Sequence, residues 1–304
     1  MAGRDIVPAP RERGPADVVA IFGPTASGKS AVAEAVADLL GTEVVSADAM
    51  QVYRDLPILT NQPERSTRLV AIRSVSEEMS LGAFASLAHD AIDELVREKG
   101  RAVVAGGTGL YLRAALADLE VPPAPDPGHR ALIEAEVDRD RAAAHGRLAS
   151  LDAATATAVH PNDRQRLVRA LELADTGRSL SAERNGLWDS ATRRPTAIVG
   201  LEVPPDVLER RIRSRTETMF ARGVVDEVRA ALAGPLSRTA EKALGLREIA
   251  ELETTEAFER IVVRTRRYAA YQRKWMRRIP AITLIDATRD AAVVARDVVA
   301  LAQR

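Results

Sequence analysis

Residues 23–30 read Gly-Pro-Thr-Ala-Ser-Gly-Lys-Ser, the spacing of a phosphate-binding loop. Such a loop works only in one setting. Its glycines let backbone N–H groups wrap an anion, and the helix behind it points its positive end at the same charge. The flanks supply that setting. Asp17–Phe22 is a short apolar run that reads as a buried strand. Behind the loop, Ala31, Val32, Ala35, Val36, Leu39 and Leu40 line one helical face, and Gly41 stops the helix. Gly23, Pro24, Thr25, Ala26, Ser27, Gly28, Lys29 and Ser30 are therefore the expected diphosphate- or nucleotide-binding residues. Lys29 neutralises phosphate oxygens, and the Ser30 hydroxyl is placed for Mg²⁺. The loop itself leaves open whether its ligand is a nucleotide or another diphosphate.

The pattern then repeats. Glu43–Ala47 is a second expected strand, ending at Asp48. Leu87, Ala91, Ile92, Leu95 and Val96 mark a helix closed by Gly100. Arg101–Ala105 is a third strand, ending at Gly106-Gly107-Thr108. Strand and helix in alternation predict an α/β, P-loop NTPase-like parallel sheet flanked by helices, with its chemistry beyond the C-terminal strand ends. Near Val121 a proline-rich joint interrupts the pattern, and from about Gly128 to Arg184 the signals are helical. One helix is expected from Asn162 to about Thr176, with a polar loop running on to Arg194. Thr196–Glu202 and Ala281–Asp286 read as further strands. The expected organisation is a mobile leader over 1–16, a discontinuous core over 17–121 and 195–304, and an α-helical insertion domain over 122–194.

Composition narrows the chemistry. Among 304 residues there is no cysteine, which excludes disulfides, thiol nucleophiles and Cys-ligated zinc. The four histidines, His89, His129, His145 and His160, have no mutual ligand spacing and read as structural. Acidic and basic residues balance at 43 each, which excludes a polycation but not a local basic patch. No apolar run of about 18 residues suggests a membrane span. The N-terminus has no apolar signal region, so a cytoplasmic protein is expected.

Three further features carry chemistry. Asp48, in Asp48-Ala49-Met50-Gln51, faces the phosphate loop as a general base or metal ligand, unless it only caps a helix. Thr108 either reaches a phosphate or belongs to a structural turn. Arg215 shares an apolar helix face with Leu208, Ile212 and Met219. A cation there needs an anionic partner, either a diphosphate or a carboxylate. Toward the C-terminus, Arg264, Arg266, Arg267, Arg273, Lys274, Arg277 and Arg278 lie within one helix with no acid between them. Interleaved with Tyr268, Tyr271 and Trp275, they suit a nucleic-acid strand or polyphosphate. Arg166 and Arg169 project together after His160-Pro161-Asn162-Asp163, toward RNA or toward Glu172.

In order along the chain, these motifs resemble the bacterial tRNA dimethylallyltransferase family over roughly residues 18–280. The carrying segments are GPTASGKS at 23, DAMQVY at 48, GGTGLY at 106 and HPNDRQRLVRALE at 160. Two more are Arg211-Ile212-x-x-Arg215 and Thr265-Arg266-Arg267-Tyr268-Ala269-x-x-Gln272-x-x-Trp275. The resemblance implies transfer of a dimethylallyl group from dimethylallyl diphosphate to N6 of the adenosine 3′ of the tRNA anticodon. Lys29, Thr108, Arg215 and Ser30 with Mg²⁺ would then stabilise the departing diphosphate, and Asp48 would take the amine proton. Asp48, Ala49, Met50 and Gln51 would read the adenine, and Thr108 would also contact the tRNA. Arg130, Gln165, Arg166, Leu167, Val168, Arg169, Lys242, Ala243, Leu244, Gly245, Leu246, Arg247 and Gln272 would hold the anticodon stem-loop. A monomer is expected.

The chain also departs from the family pattern. Ala49 stands where a serine is usual, and Gln62 where a Thr-x-Lys-Pro segment has lysine. None of the histidines or the aspartate of a His-His-Leu-Ile-Asp segment survives over Thr67–Ala71. Three rivals share some of these features. A P-loop small-molecule kinase would move the γ-phosphate of ATP. A prenyltransferase for free adenine nucleotides would need no RNA surface. A non-catalytic RNA-binding protein would not need Lys29, Ser30, Asp48, Thr108 and Arg215 all intact.

Overall fold

The computed structural model describes residues 15–119, 126–180 and 191–303. Among these, five strands form one parallel sheet in the order β2-β3-β1-β4-β5. They are β1 (Val18–Phe22), β2 (Val44–Ser46), β3 (Ala102–Gly106), β4 (Thr196–Glu202) and β5 (Thr283–Asp286). All five were legible as apolar runs. A parallel strand covered on both faces has no polar side to show. The two faces still alternate along β1. Val18, Ala20 and Phe22 join the core beneath α2 (Leu81–Lys99) and α3 (Gly109–Leu116), while Val19 and Ile21 join the core beneath α1 (Lys29–Leu40). The fold is the expected P-loop NTPase-like one. It places the ends of β1, β2 and β3 side by side, where their loops meet.

Among the described residues, four helices follow α3 before β4: α4 (Pro127–Arg139), α5 (Arg141–Leu151), α6 (Ala153–Ala158) and α7 (Arg164–Asp175). They enclose a core of their own, built from residues such as Ile133, Val137, Leu148, Leu167 and Leu171. Asp126, Asp140, Asp152 and Asp163 each accept a backbone N–H at the start of one of them. That cap is why α7 begins at Arg164 and not at Asn162. The joint at 120–125 and the loop at 181–190 lie outside the described residues. Arg193 and Arg194 anchor the return to the sheet on Asp93, and Arg193 also donates its N–H to the Leu116 carbonyl.

Beyond β4 the chain continues through α8 (Pro205–Ala221), α9 (Val224–Ala231), α10 (Leu246–Glu251), α11 (Thr254–Met276) and α12 (Ala291–Ala302). Ala16 is buried and donates its N–H to the Ala302 carbonyl; residues 1–14 of the leader expected over 1–16 lie outside the described residues.

Glu227 on α9 fixes the loop after β2. Its carboxylate accepts the N–H groups of Ile58 at 2.7 Å and Leu59 at 2.8 Å. Burial pushes its carboxyl above the ordinary value, and the two N–H bonds oppose that shift. Glu227→Ala strands both donors. We expect a loss of about 2 kcal/mol, read as a lower urea midpoint at unchanged slope.

Candidate active site

The phosphate loop takes its shape from the chain around it. Gly28 adopts a left-handed conformation (φ 86°) at the N-cap of α1. Gly23 donates its N–H to the Gly106 carbonyl at 3.3 Å, and a Cβ at Gly23 would meet Ser27 Oγ at 2.5 Å. Ser27 Oγ is buried without a partner among the described residues. Burial lowers the Lys29 pKa from its ordinary value. The negative charge of Asp48 opposes that shift, and Arg215 adds to it.

Asp48 stands at the centre of these charges. Its Oδ1 accepts the Met50 N–H at 2.9 Å. Turns and not a helix follow it, so the helix-cap alternative does not hold. The carboxylate interacts electrostatically with Lys29, Arg215, Tyr111 and Tyr268.

Arg215 does face inward from α8, as its apolar stripe predicts. Its Nη1 donates to Thr25 Oγ1 at 2.6 Å, while its Nε is buried without a hydrogen-bond partner among the described residues. Burial lowers its pKa from the ordinary value, and Asp48 opposes the shift. A desolvated guanidinium with an idle donor beside a phosphate loop is built for an anion. Thr108 Oγ1 shares a hydrogen bond of 3.1 Å with Tyr268 Oη. Burial pushes the Tyr268 phenol up to about 12, so this pair stays protonated through any physiological pH.

Ser30 lines a cleft with Lys29, Glu34, Ser46 and Gln51. No group of three or more acidic or histidine side chains able to hold a metal occurs among the described residues. A single hydroxyl at the end of a phosphate-loop motif would fit Mg²⁺, which keeps several waters and binds largely through phosphate oxygens.

Several expected RNA contacts are placed otherwise. Leu167 and Val168 are fully buried in the helical unit. Ala243, Gly245 and Leu246 are buried as well, leaving Lys242 and Arg247 as the exposed side chains of that segment. The Arg130 guanidinium is held between Glu134 and Glu172. Arg169 also pairs with Glu172, whereas Arg166, exposed, pairs only with Asp163 among the described residues. Gln165 is exposed, and Leu244 is half-buried. Ala49 and Met50 pack inward against the core. Gln272 is 3% exposed and bonded to two loops of the site, so it presents nothing to RNA.

Five of the seven cations lie on α11, with Arg277 and Arg278 just past its end, and two of the five find acids from elsewhere in the chain. Arg264 pairs with Glu248 and Arg266 with Glu209. Arg267, Tyr271 and Lys274 remain exposed on one stripe of α11. Gln62, at the family's lysine position, donates to the carbonyls of Gln51 and Tyr53 and so props up the Asp48 loop. Gln51 accepts from Ser46 Oγ and donates to the Asn61 carbonyl.

The family described as IPP transferase matches residues 51–279. The chain belongs to the IPP transferase family. The match begins after the phosphate loop. A relative from Anaeromyxobacter dehalogenans, named tRNA dimethylallyltransferase, is 40% identical over 92% of this chain and 98% of its own length. One of the same name from Streptomyces coelicolor is 39% identical over 90% of each chain. Among solved structures, a full-length tRNA isopentenylpyrophosphate transferase from Bacillus halodurans is similar with a TM-score of 0.66. It is 29% identical, over 94% of this chain and 96% of that one. A eukaryotic dimethylallyltransferase described as acting on tRNA gives 0.72 at 28% identity, over 89% of this chain and 74% of its own.

Proposed function

We propose that this IPP transferase family member moves a dimethylallyl group from dimethylallyl diphosphate to N6 of the adenosine 3′ of the anticodon in tRNA. The observation that carries the reading is Asp48, a carboxylate set among Lys29, Arg215 and the Thr108–Tyr268 pair at the mouth of a phosphate loop. That arrangement offers an anion cradle and a proton acceptor in one place, which alkylation of an amine by an allylic diphosphate requires.

The bond from the allylic carbon to the diphosphate oxygen breaks as the bond to N6 forms. Lys29, Arg215 and the loop amides take up the charge growing on the leaving oxygen. Asp48 accepts the proton that N6 loses, and the Met50 N–H fixes its carboxylate. Thr108, held by Tyr268, completes the rim. Ser30 would hold Mg²⁺, which when bound would supply positive charge near the leaving diphosphate. An adenine must leave its stack to reach Asp48, and an anticodon loop permits that. The reading carries with it a cytoplasmic location and a monomeric enzyme. No helix among the described residues is long and apolar enough to cross a membrane.

The exposed stripe on α11 supplies a surface for the RNA. Arg267 and Lys274 have no ion pair among the described residues. Arg267→Ala with Lys274→Ala should weaken RNA binding and reduce the slope of log affinity against log salt by about 1.4, as for two single-strand phosphate contacts. Filter binding at several salt concentrations measures it.

The test of the reaction is an acceptor competition. Purified protein, Mg²⁺ and labelled dimethylallyl diphosphate are offered an unmodified anticodon stem-loop and free AMP together. Label in RNA alone is the expected result. Label in AMP alone would make the chain a nucleotide prenyltransferase.

A further inference from the structure

The inner face of α11 is bound to the site at successive turns. Tyr268 meets Thr108. Trp275 lies where a Cβ on Gly109 would stand. Between them Gln272 spans two loops: its Oε1 accepts the Thr25 N–H at 2.8 Å, and its Nε2 donates to the Gly107 carbonyl at 2.8 Å. One loop follows β1 and the other follows β3. We propose that Gln272 is a positioning residue that sets the phosphate loop against the β3 loop, and that donor diphosphate affinity depends on it. The proposal rests on the transferase reading above for the identity of the donor.

Only a neutral amide of this length meets the geometry. Thr25 presents a donor and Gly107 an acceptor, so their bridge must carry one of each. An ionised carboxylate lacks the donor, and an aliphatic chain lacks both. Both loop groups are main-chain atoms at a site that excludes solvent from Gln272, where an unpaired donor or acceptor is costly. Gly107 is part of the same device. A Cβ there would stand 2.6 Å from Gln272 Nε2 and 3.0 Å from the Gly23 carbonyl.

The same residue of the phosphate loop is also gripped from a second helix. Arg215 on α8 donates to the Thr25 hydroxyl while Gln272 on α11 takes its N–H. Thr25 lies two residues past Gly23 and three before Gly28, so its placement decides where the following amides point. Gln272 thus acts through the loop and touches neither substrate.

The outer face of the same helix carries Arg267, Tyr271 and Lys274. That face does not share the bonds of Gln272, so the two functions of α11 separate by experiment. Gln272→Met keeps the length and removes both hydrogen bonds. Inorganic diphosphate is titrated calorimetrically into the full chain, and an anticodon stem-loop RNA is titrated by fluorescence anisotropy. We expect the diphosphate Kd to rise about tenfold while the RNA Kd stays within about twofold.

Gly107→Ala leaves Gln272 in place but displaces its amide, and should give the same split. The double variant should be no weaker than the weaker single one, because both remove one bridge. Gly107→Ala also keeps the test open should Gln272→Met fail to fold, which thermal unfolding reports. A rise in the RNA Kd at unchanged diphosphate Kd would make Gln272 an RNA contact and overturn the proposal. Unchanged diphosphate affinity in both folded variants, or additive losses, would overturn it too. If wild-type protein prenylates no RNA but both variants lose diphosphate, the clamp stands and the reaction assigned to the site falls.

Discussion

Asp48→Asn lowers kcat by about two to four orders of magnitude, the usual contribution of a positioned general base. In barrier height that is about 3–5 kcal/mol. The substitution is chosen to isolate the proton transfer. An asparagine Oδ1 still accepts the Met50 N–H, so the turn after β2 keeps its shape. What disappears is the negative charge beside Lys29 and Arg215 and the ability to take a proton from N6. The RNA surface on α11 is untouched, so RNA affinity stays within about twofold. Diphosphate affinity should not fall, because an anion near the cradle has been removed. Single-turnover rates, with both affinities measured separately, check the three statements. A rate close to wild type would remove Asp48 as the base.

Arg215→Gln should lower kcat by about 100- to 1,000-fold, the range for one lost donor to a developing anion. Its second signature is stability. Arg215 is half-buried, its Nε is buried with no hydrogen-bond partner among the described residues, and burial disfavours its charged form. Replacing it with a neutral side chain relieves that penalty, so the thermal midpoint of the unliganded protein should be no lower than wild type. Activity lost without stability lost marks a residue held for its ligand. A midpoint several degrees lower, with kcat nearly intact, would return Arg215 to a structural role. Thr25 Oγ1 loses its partner in this variant. Part of the loss should therefore appear as weaker diphosphate binding.

The sheet and the residues proposed for catalysis were legible because their signals are local. Each strand is an apolar run closed by glycine or aspartate, and the phosphate loop carries its function in eight consecutive residues. Arg215 was legible from helical periodicity, as one cation on an apolar stripe.

The misplacements share a cause. Gln272 lies on the stripe of Ile261, Thr265, Tyr268 and Trp275, and a polar residue there gives no sign of what it meets. Its partners are 247 and 165 residues away. The run of cations on α11 lacks local acids, yet Glu248 and Glu209 reach two of them through the fold. Leu167 and Val168 sit inside an RNA-like signature because α7 needs a core, while only the polar positions around them can face outward. Gln62 showed as a departure from the family's lysine. Its function shows only when the carbonyls of Gln51 and Tyr53 are brought to it.

The most direct test of the central claim is the mass of the modified nucleoside. An unmodified anticodon stem-loop is incubated with the protein, Mg²⁺ and dimethylallyl diphosphate, then digested and resolved by mass spectrometry. The account predicts N6-dimethylallyl adenosine from the position 3′ of the anticodon, and none from the Asp48→Asn protein on the same time scale. An unmodified digest from wild-type protein that binds both substrates, alongside transfer of the ATP γ-phosphate to a small molecule, would contradict it.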